Sequence, residues 1–250
     1  MRTIAVSVCW LIATVASAQA PLPVNGALEV ILADWETAMA KVQSLEASCK
    51  RTTIDRVFQT TEVDRGSIRF LRGTGPTPVH RASIHMKKLD NPANFEKLIL
   101  SGTTVYEFAP SSNEVRVHTL PAPPPGQAVD NNLLSLLMGM KAADAKKLFQ
   151  MELLKSDDYY HYLRLQPFNK VDFADGRLAL LRSSHLPRLV EFVQVNGNRV
   201  IWDFEKIDTA APLVAADFDR PAIPAGWKLN AIPAGGQRAA PGNTPILKKN

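Results

Sequence analysis

"LILSGTTVYEFAPSSNEVRVHTLP", residues Leu98–Pro121, holds three short strand-like runs separated by two reversals. Ser101-Gly102 and Ala109–Asn113 have the composition of tight turns, because Gly tolerates positive φ while Pro, Ser and Asn favour reversal. Between them Thr104, Tyr106 and Phe108 alternate with Val105 and Glu107, and Val115 and Val117 alternate with Arg116 and His118. Period two with one apolar face is the signature of a half-buried antiparallel meander.

The same pattern extends in both directions. Upstream, "TTIDRVFQTTEV" and "GSIRFLR" read as successive strands, with Ile68 and Phe70 on one face and Arg69 on the other. "GTGPTP" (Gly73–Pro78) reads as a loop, and "VHRASIHMKKL" as a strand with Ile84 and Met86 together. Further upstream, Leu28, Ile31, Trp35, Met39, Val42 and Leu45 recur every three or four residues, one apolar stripe of an amphipathic helix that should cover the sheet. Downstream, "PAPPPG" (Pro121–Gly126) is a stiff connector. "DNNLLSLLMGMKAADAKKLF" then reads as a helix capped by Asp130 or Asn131. Leu133, Leu134, Leu136, Leu137, Met138 and Met140 crowd nearly all round it, which suits either a buried core helix or a cover over an apolar opening. A second meander follows, "FQMELLK", "DDYYHYLRLQP" and the long run to "DFEKID", with "VNGN" as a hairpin turn. "ADFDRPAIPAGWKL" reads as the last ordered stretch, with Asp217 and Asp219 flanking Phe218 in an alternating end strand.

The expected class is therefore α+β: a strongly curved antiparallel sheet covered by helices. Such a sheet encloses an apolar cavity where its own side chains do not fill the concave face.

The ends of the chain bear on where it works. "MRTIAVSVCWLIATVASAQA" has a positive start, an apolar stretch and small residues at Ala18-Gln19-Ala20, the layout of a secretory signal peptide, with an uncleaved anchor as the alternative. The expected division is a signal peptide at 1–20, one domain at 21–234 and a loose Gly/Pro-rich tail at 235–250. Cleavage would leave Cys49 as the lone cysteine of an exported chain, so stability must come from a packed core. No later segment is apolar for long enough to span a bilayer. The net charge of +5 becomes +4 without Arg2, and the basic residues are interspersed with acids, which does not suit a nucleic-acid surface.

Catalytic motifs are lacking. There is no Gly-x-Ser-x-Gly elbow, His-Glu-x-x-His helix, phosphate-binding Gly loop or Cys-x-x-Cys, and the five histidines are scattered. His80 and His85 fall on opposite strand faces, Asp157-Asp158 reads as a turn, and Cys49 at a helix end reads as a small buried residue. No metal site and no cofactor is expected. Arg72, ending "GSIRFLR" before a Gly-rich loop, has the planar fork to donate to carbonyls of a covering helix, although a solvated Arg is the default.

The order "KVQSLEASCKRTTID", "GSIRFLR", "SGTTVYEFAP", a helical insert, a second meander and "DFDRPAIPAGWKL" resembles the periplasmic lipoprotein carrier LolA and its relatives. "MGMKAADAKKLFQMELLKSDDYYHYL" and "LPRLVEFVQVNGNRVIWDFEKI" look closer still to an uncharacterised planctomycete domain family of that fold. The resemblance implies an incomplete barrel around a cavity for lipid or lipoprotein acyl chains, no enzymatic activity, and a lid latched by an Arg that Arg72 matches. Gly73 stands where that family has Pro, and "GTGPTPVHR" replaces an aromatic segment. On this reading Ile68, Phe70, Tyr106 and Phe108, with Leu133, Leu134, Leu137, Met138 and Met140, line or cover the cavity. The rival readings are an envelope sensor that meets a protein partner through the same apolar face, and a hydrolase.

Overall fold

The computed structural model describes residues 24–74, 79–119, 141–169 and 173–232. The expected signal peptide, the Pro-rich connector, the Leu133–Met140 segment and the tail lie outside these residues.

Helix α1 (Val24–Lys41) carries its apolar stripe as expected, with Ile31, Leu32, Trp35 and Met39 all buried. It ends one turn earlier than the stripe. Val42 is still inward, but Leu45 already belongs to strand β1 (Ser44–Ile54), whose alternation places Ala47 and Cys49 inward. Cys49 is therefore a buried mid-strand residue rather than a helix end, and burial pushes its thiol up to about 12, leaving it protonated and inert.

Eleven further strands follow. They are β2 (Thr61–Leu71), β3 (Arg81–Lys88), β4 (Phe95–Ser101), β5 (Thr104–Ala109), β6 (Glu114–Thr119), β7 (Phe149–Ser156), β8 (Tyr160–Pro167), β9 (Phe173–Leu181), β10 (Pro187–Gln194), β11 (Arg199–Asp208) and β12 (Lys228–Ile232). They form one sheet in the order β12-β6-β5-β4-β3-β2-β1-β11-β10-β9-β8-β7. Every pairing is antiparallel except β12 on β6. β7 and β12 are free edges, so the barrel is not closed. One core cluster joins Ile68 and Ile84 of β2 and β3 to Leu163, Leu178 and Val190 of β8, β9 and β10 around Trp35 of α1. Strands so far apart in the sheet meet one helix only if the sheet curves round it.

The helical cover is smaller than expected. Among the described residues there are two helices, α1 and the single short helix α2 (Ala142–Leu148), which buries Ala145. Much of the remaining cover is irregular chain. "ADFDRP" is not an end strand: Ala215–Phe218 is a 3-10 turn in which the Asp217 carboxylate accepts the Val214 amide at 2.8 Å, and Phe218 is fully buried. "TTIDRVFQTTEV" is not one strand either. The chain reverses at Asp55–Thr60, where Asp55 accepts the amides of Val57 and Phe58 at 2.8 Å each. Asp55 makes this turn with a side chain, so no Gly or Pro marks it in the sequence.

Register assigns each strand residue to a face, because directly opposed residues share one. On the concave face the first row is Leu45, Phe70, Ala82, Leu100, Val105 and His118, and the second is Ala47, Ile68, Ile84, Leu98, Glu107 and Arg116. On the convex face one row runs Glu46, Arg69, Ser83, Ile99, Tyr106 and Val117. The convex face thus begins polar on β1–β3 and turns apolar on β4–β6. There a second core gathers Ile99, Phe108, Val115 and Phe218, with Tyr106, Leu213 and Trp227 against it.

Candidate functional site

The concave face has two parts. Around β7–β11 and the near ends of β1–β3 it is filled by α1. Toward the end of the sheet where β2 finishes it continues as Phe70, Ala82, Leu100 and Val105, of which Phe70, Ala82 and Val105 are 4%, 2% and 4% exposed.

Arg72 stands at the rim of this apolar row. Its backbone amide donates to Gln43 O at 2.8 Å, its Nε to Val42 O at 2.8 Å and its Nη2 to Met39 O at 2.9 Å. These carbonyls lie at and just past the end of α1, where intrahelical donors run out and the partial charge is negative. Met39 lies in the last turn of α1, and Val42 and Gln43 in the link to β1, so Arg72 ties the end of β2 to the end of α1. The guanidinium also lies over the Phe70 ring at 5.6 Å from its centroid. Partial burial lowers the Arg72 pKa but leaves the group charged. Beside it, the Gly73 amide donates to His80 Nδ1 at 3.3 Å, which places any single ring proton on Nε2. Burial, then the Arg72 charge, lowers the His80 pKa, so this imidazole is neutral at pH 7.

Replacing Arg72 with Ala should cost about 2 kcal/mol in unfolding free energy, the worth of its charged hydrogen bonds to Val42 O and Met39 O, of which Met39 O keeps the Val42 amide as a donor at 3.2 Å. Arg72→Lys should recover only part of this, since an ammonium cannot match the planar fork. Urea melts of the two variants check both.

Polar groups bound the apolar row on two sides. Across β5–β6, Glu107 meets His118 Nε2 at 2.9 Å and Arg116 Nη1 at 3.4 Å. Toward the opposite end of the sheet, Arg51 is clamped between Asp64 at 3.0 Å and Glu96 at 2.5 Å and lies 5.2 Å from the Trp202 ring centroid. Burial opposes the charge on Arg51, but Glu96 and Asp64 more than offset it and hold its pKa above the ordinary value. Sequence reading missed this cluster. Arg51, Asp64 and Glu96 come from three strands, and only register brings them together.

Nucleophile-like groups occur elsewhere. Ser156 Oγ lies 2.7 Å from His161 Nδ1, and the His161 ring stacks on His185 with centroids 5.8 Å apart. His185 Nε2 is 3.7 Å from Asp34. His185 and Asp34 edge an open cleft of about 470 Å³ of mixed lining, with Lys41, Ser183 and Ser184 beside Ala38, Val42 and Leu186 on its walls. Among the described residues no group of three or more His, Cys, Asp or Glu side chains is placed to hold a metal ion. Asp157 is a turn residue, its carboxylate accepting the amides of Tyr159 and Tyr160, which lowers its pKa.

The expected cavity residues therefore divide. Ile68 and Phe70 share the concave face with Arg72 at its rim, whereas Tyr106 and Phe108 face the other way, against the second core and Trp227. Both faces of β4 and β5 carry apolar residues, so alternation alone did not fix which face matched Ile68. The two-residue turn Gly102-Thr103, with Ser101 opposite Thr104, fixes the parity, Gly102 taking φ 65°. Leu133, Leu134, Leu137, Met138 and Met140 lie outside the described residues.

No family model matches the chain, and no curated protein matches it. Among solved structures it is similar to an uncharacterized conserved protein from Thermus thermophilus, at 11% identity over 82% of this chain and 99% of that one, with a TM-score of 0.49. It is similar also to an outer membrane lipoprotein-sorting protein domain from Vibrio parahaemolyticus (11% identity, 76% and 95% covered, TM-score 0.40). A third likeness is to a LolA superfamily protein from Nitrosomonas europaea (14% identity, 77% and 97% covered, TM-score 0.36). Overlaps this loose say nothing about activity. The described residues form an unclosed, mostly antiparallel sheet that curves round α1, and the likeness to these proteins is one of fold alone.

Proposed function

We propose that the chain is an exported, non-enzymatic carrier that holds acyl chains of a lipid or lipoprotein against the concave face of its sheet. The observation that supports this best is the apolar row Phe70, Ala82, Leu100 and Val105, continuing past the helix-filled core to a rim where Arg72 clasps α1. Ile68 lies one row deeper. The Leu/Met-rich segment Leu133–Met140 supplies the cover in this reading. The leader-like residues 1–20 support a periplasmic location, and the continuity of one sheet from Ser44 to Ile232 supports treating 21–234 as one unit.

Magnitudes suit a carrier. Each methylene buried contributes about 0.8 kcal/mol, so an ordinary acyl chain supplies several times the roughly 2 kcal/mol held in the Arg72 clasp. Cargo binding is then strong enough to displace the clasp, and the clasp re-forms when cargo leaves.

Titration with a fluorescent fatty-acid analogue tests the proposal. Saturable binding in a definite ratio is expected, weakened at least tenfold by Leu137→Asp and by Leu100→Asp, with Leu154→Asp on the edge strand as the neutral control. Leu100 is half-buried, so the thermal transition of each variant is read alongside. Binding that is absent, or unaffected by both Leu137→Asp and Leu100→Asp, would favour an envelope interaction module.

A further inference from the structure

We infer that the end of the sheet opposite Arg72 is a docking surface for a lipid bilayer. Neighbouring strands alternate in direction, so the β1–β2, β3–β4, β8–β9 and β10–β11 turns all lie at that end. These four hairpins are consecutive in the sheet order, and each presents an exposed apolar side chain. Val57 and Phe58 are 75% and 69% exposed, Leu89 60%, Phe168 59% and Val195 74%. Turns at the opposite end also carry exposed apolar residues, Val79 (44%) and Tyr159 (72%), and Val30, Leu154, Val214 and Leu229 are exposed elsewhere on the described surface.

The most prominent tip is rigid. Asp55 Oδ1 accepts the amides of Val57 and Phe58, Gln59 Nε2 donates to Arg56 O at 2.6 Å, and Asn198 Nδ2 donates to Asp55 Oδ2 at 3.1 Å. The Arg56 amide in turn donates to Asn198 Oδ1 at 3.0 Å, tying this tip to the one bearing Val195. Val57 and Phe58 thus stand out on a turn whose amides are already bonded. Such a turn enters the interfacial region of a bilayer without leaving those donors unpaired and without losing chain entropy on ordering.

The spacing of the tips favours a bilayer over a protein. The apolar side chains sit on separate protrusions along a curved rim with polar residues between them, which suits a deformable apolar medium more than a single groove-fitting partner. Charge adds little: Arg56 and Lys87 have no ion-pair partner among the described residues, and Asp90 lies in the same rim. Apolar insertion is therefore the main attraction, and anionic lipid strengthens it only modestly.

This surface is distinct from the acyl-chain row, which makes its test independent of the carrier reading. The purified full chain is sedimented with vesicles of phosphatidylcholine, and with vesicles of phosphatidylcholine and phosphatidylglycerol. Binding to both is expected, surviving added salt in the main. Val57→Ser with Phe58→Ser should lower it on the order of tenfold or more, while Tyr159→Ser at the other end leaves it unchanged. Both tip residues are exposed, so the thermal transition should not move. No vesicle binding, binding abolished by salt alone, or binding unchanged in the double variant would each overturn the inference. Acyl-analogue uptake in the double variant should equal that of the parent, separating loss of docking from loss of carriage.

Discussion

Arg51→Ala should lower the unfolding free energy by about 3–5 kcal/mol, read as a fall in the urea midpoint at unchanged slope. The cost comes less from the lost attraction than from what remains. Asp64 is 6% exposed, and without Arg51 its buried carboxylate is left on the concave surface beside that of the partly exposed Glu96 with no cation between them. The guanidinium also lies over Trp202, so its loss exposes an aromatic face of the main core. Combining Arg51→Met with Asp64→Asn and Glu96→Gln should restore most of the stability, since removing all the charges leaves none unpaired. An Arg51→Ala cost below about 1 kcal/mol would mean that water reaches the cluster as it reaches a surface pair.

Trp35→Ala should cost a similar amount, about 3–5 kcal/mol, for a different reason. Trp35 is fully buried at the centre of the cluster that joins β1–β3 to β8–β11, so truncation leaves a cavity where the curved sheet closes on α1. Its Nε1 finds no hydrogen-bond partner among the described residues. Trp35→Phe removes that unpaired donor while keeping most of the ring, and should cost less than about 1.5 kcal/mol. Thermal melts of the two variants separate the cavity from the unpaired donor.

These two positions show what the sequence could and could not reveal. Trp35 was legible, because its four-residue spacing from both Ile31 and Met39 already names an inward stripe. The meander was legible for the same kind of reason, Ser101-Gly102 and Asn196-Gly197 marking turns between alternating runs. Arg51 was not, because its partners depend on the register of three strands, and nothing local to "CKRTTID" announces them. The placement of Tyr106 and Phe108 failed on parity. On strands apolar on both faces, pattern names the residues of a face but not the side of the sheet on which it lies. The Asp55 turn was hidden because a side chain, rather than Gly or Pro, satisfies its amides, and the apolar Val57 and Phe58 at its tip mimic strand interior. Arg72 lay between these cases. Its position before a Gly-rich loop suggested a fork for helix carbonyls, and in the fold its guanidinium meets Met39 O in the last turn of α1 and Val42 O just past it.

The most direct measurement is native mass spectrometry of the chain, purified without detergent and accompanied by lipid extraction. The carrier account predicts lipid or acylated peptide bound in a definite ratio, retained in gentle desolvation and lost in the Leu137→Asp variant. A clean apo mass that stays clean after lipid is offered would contradict it.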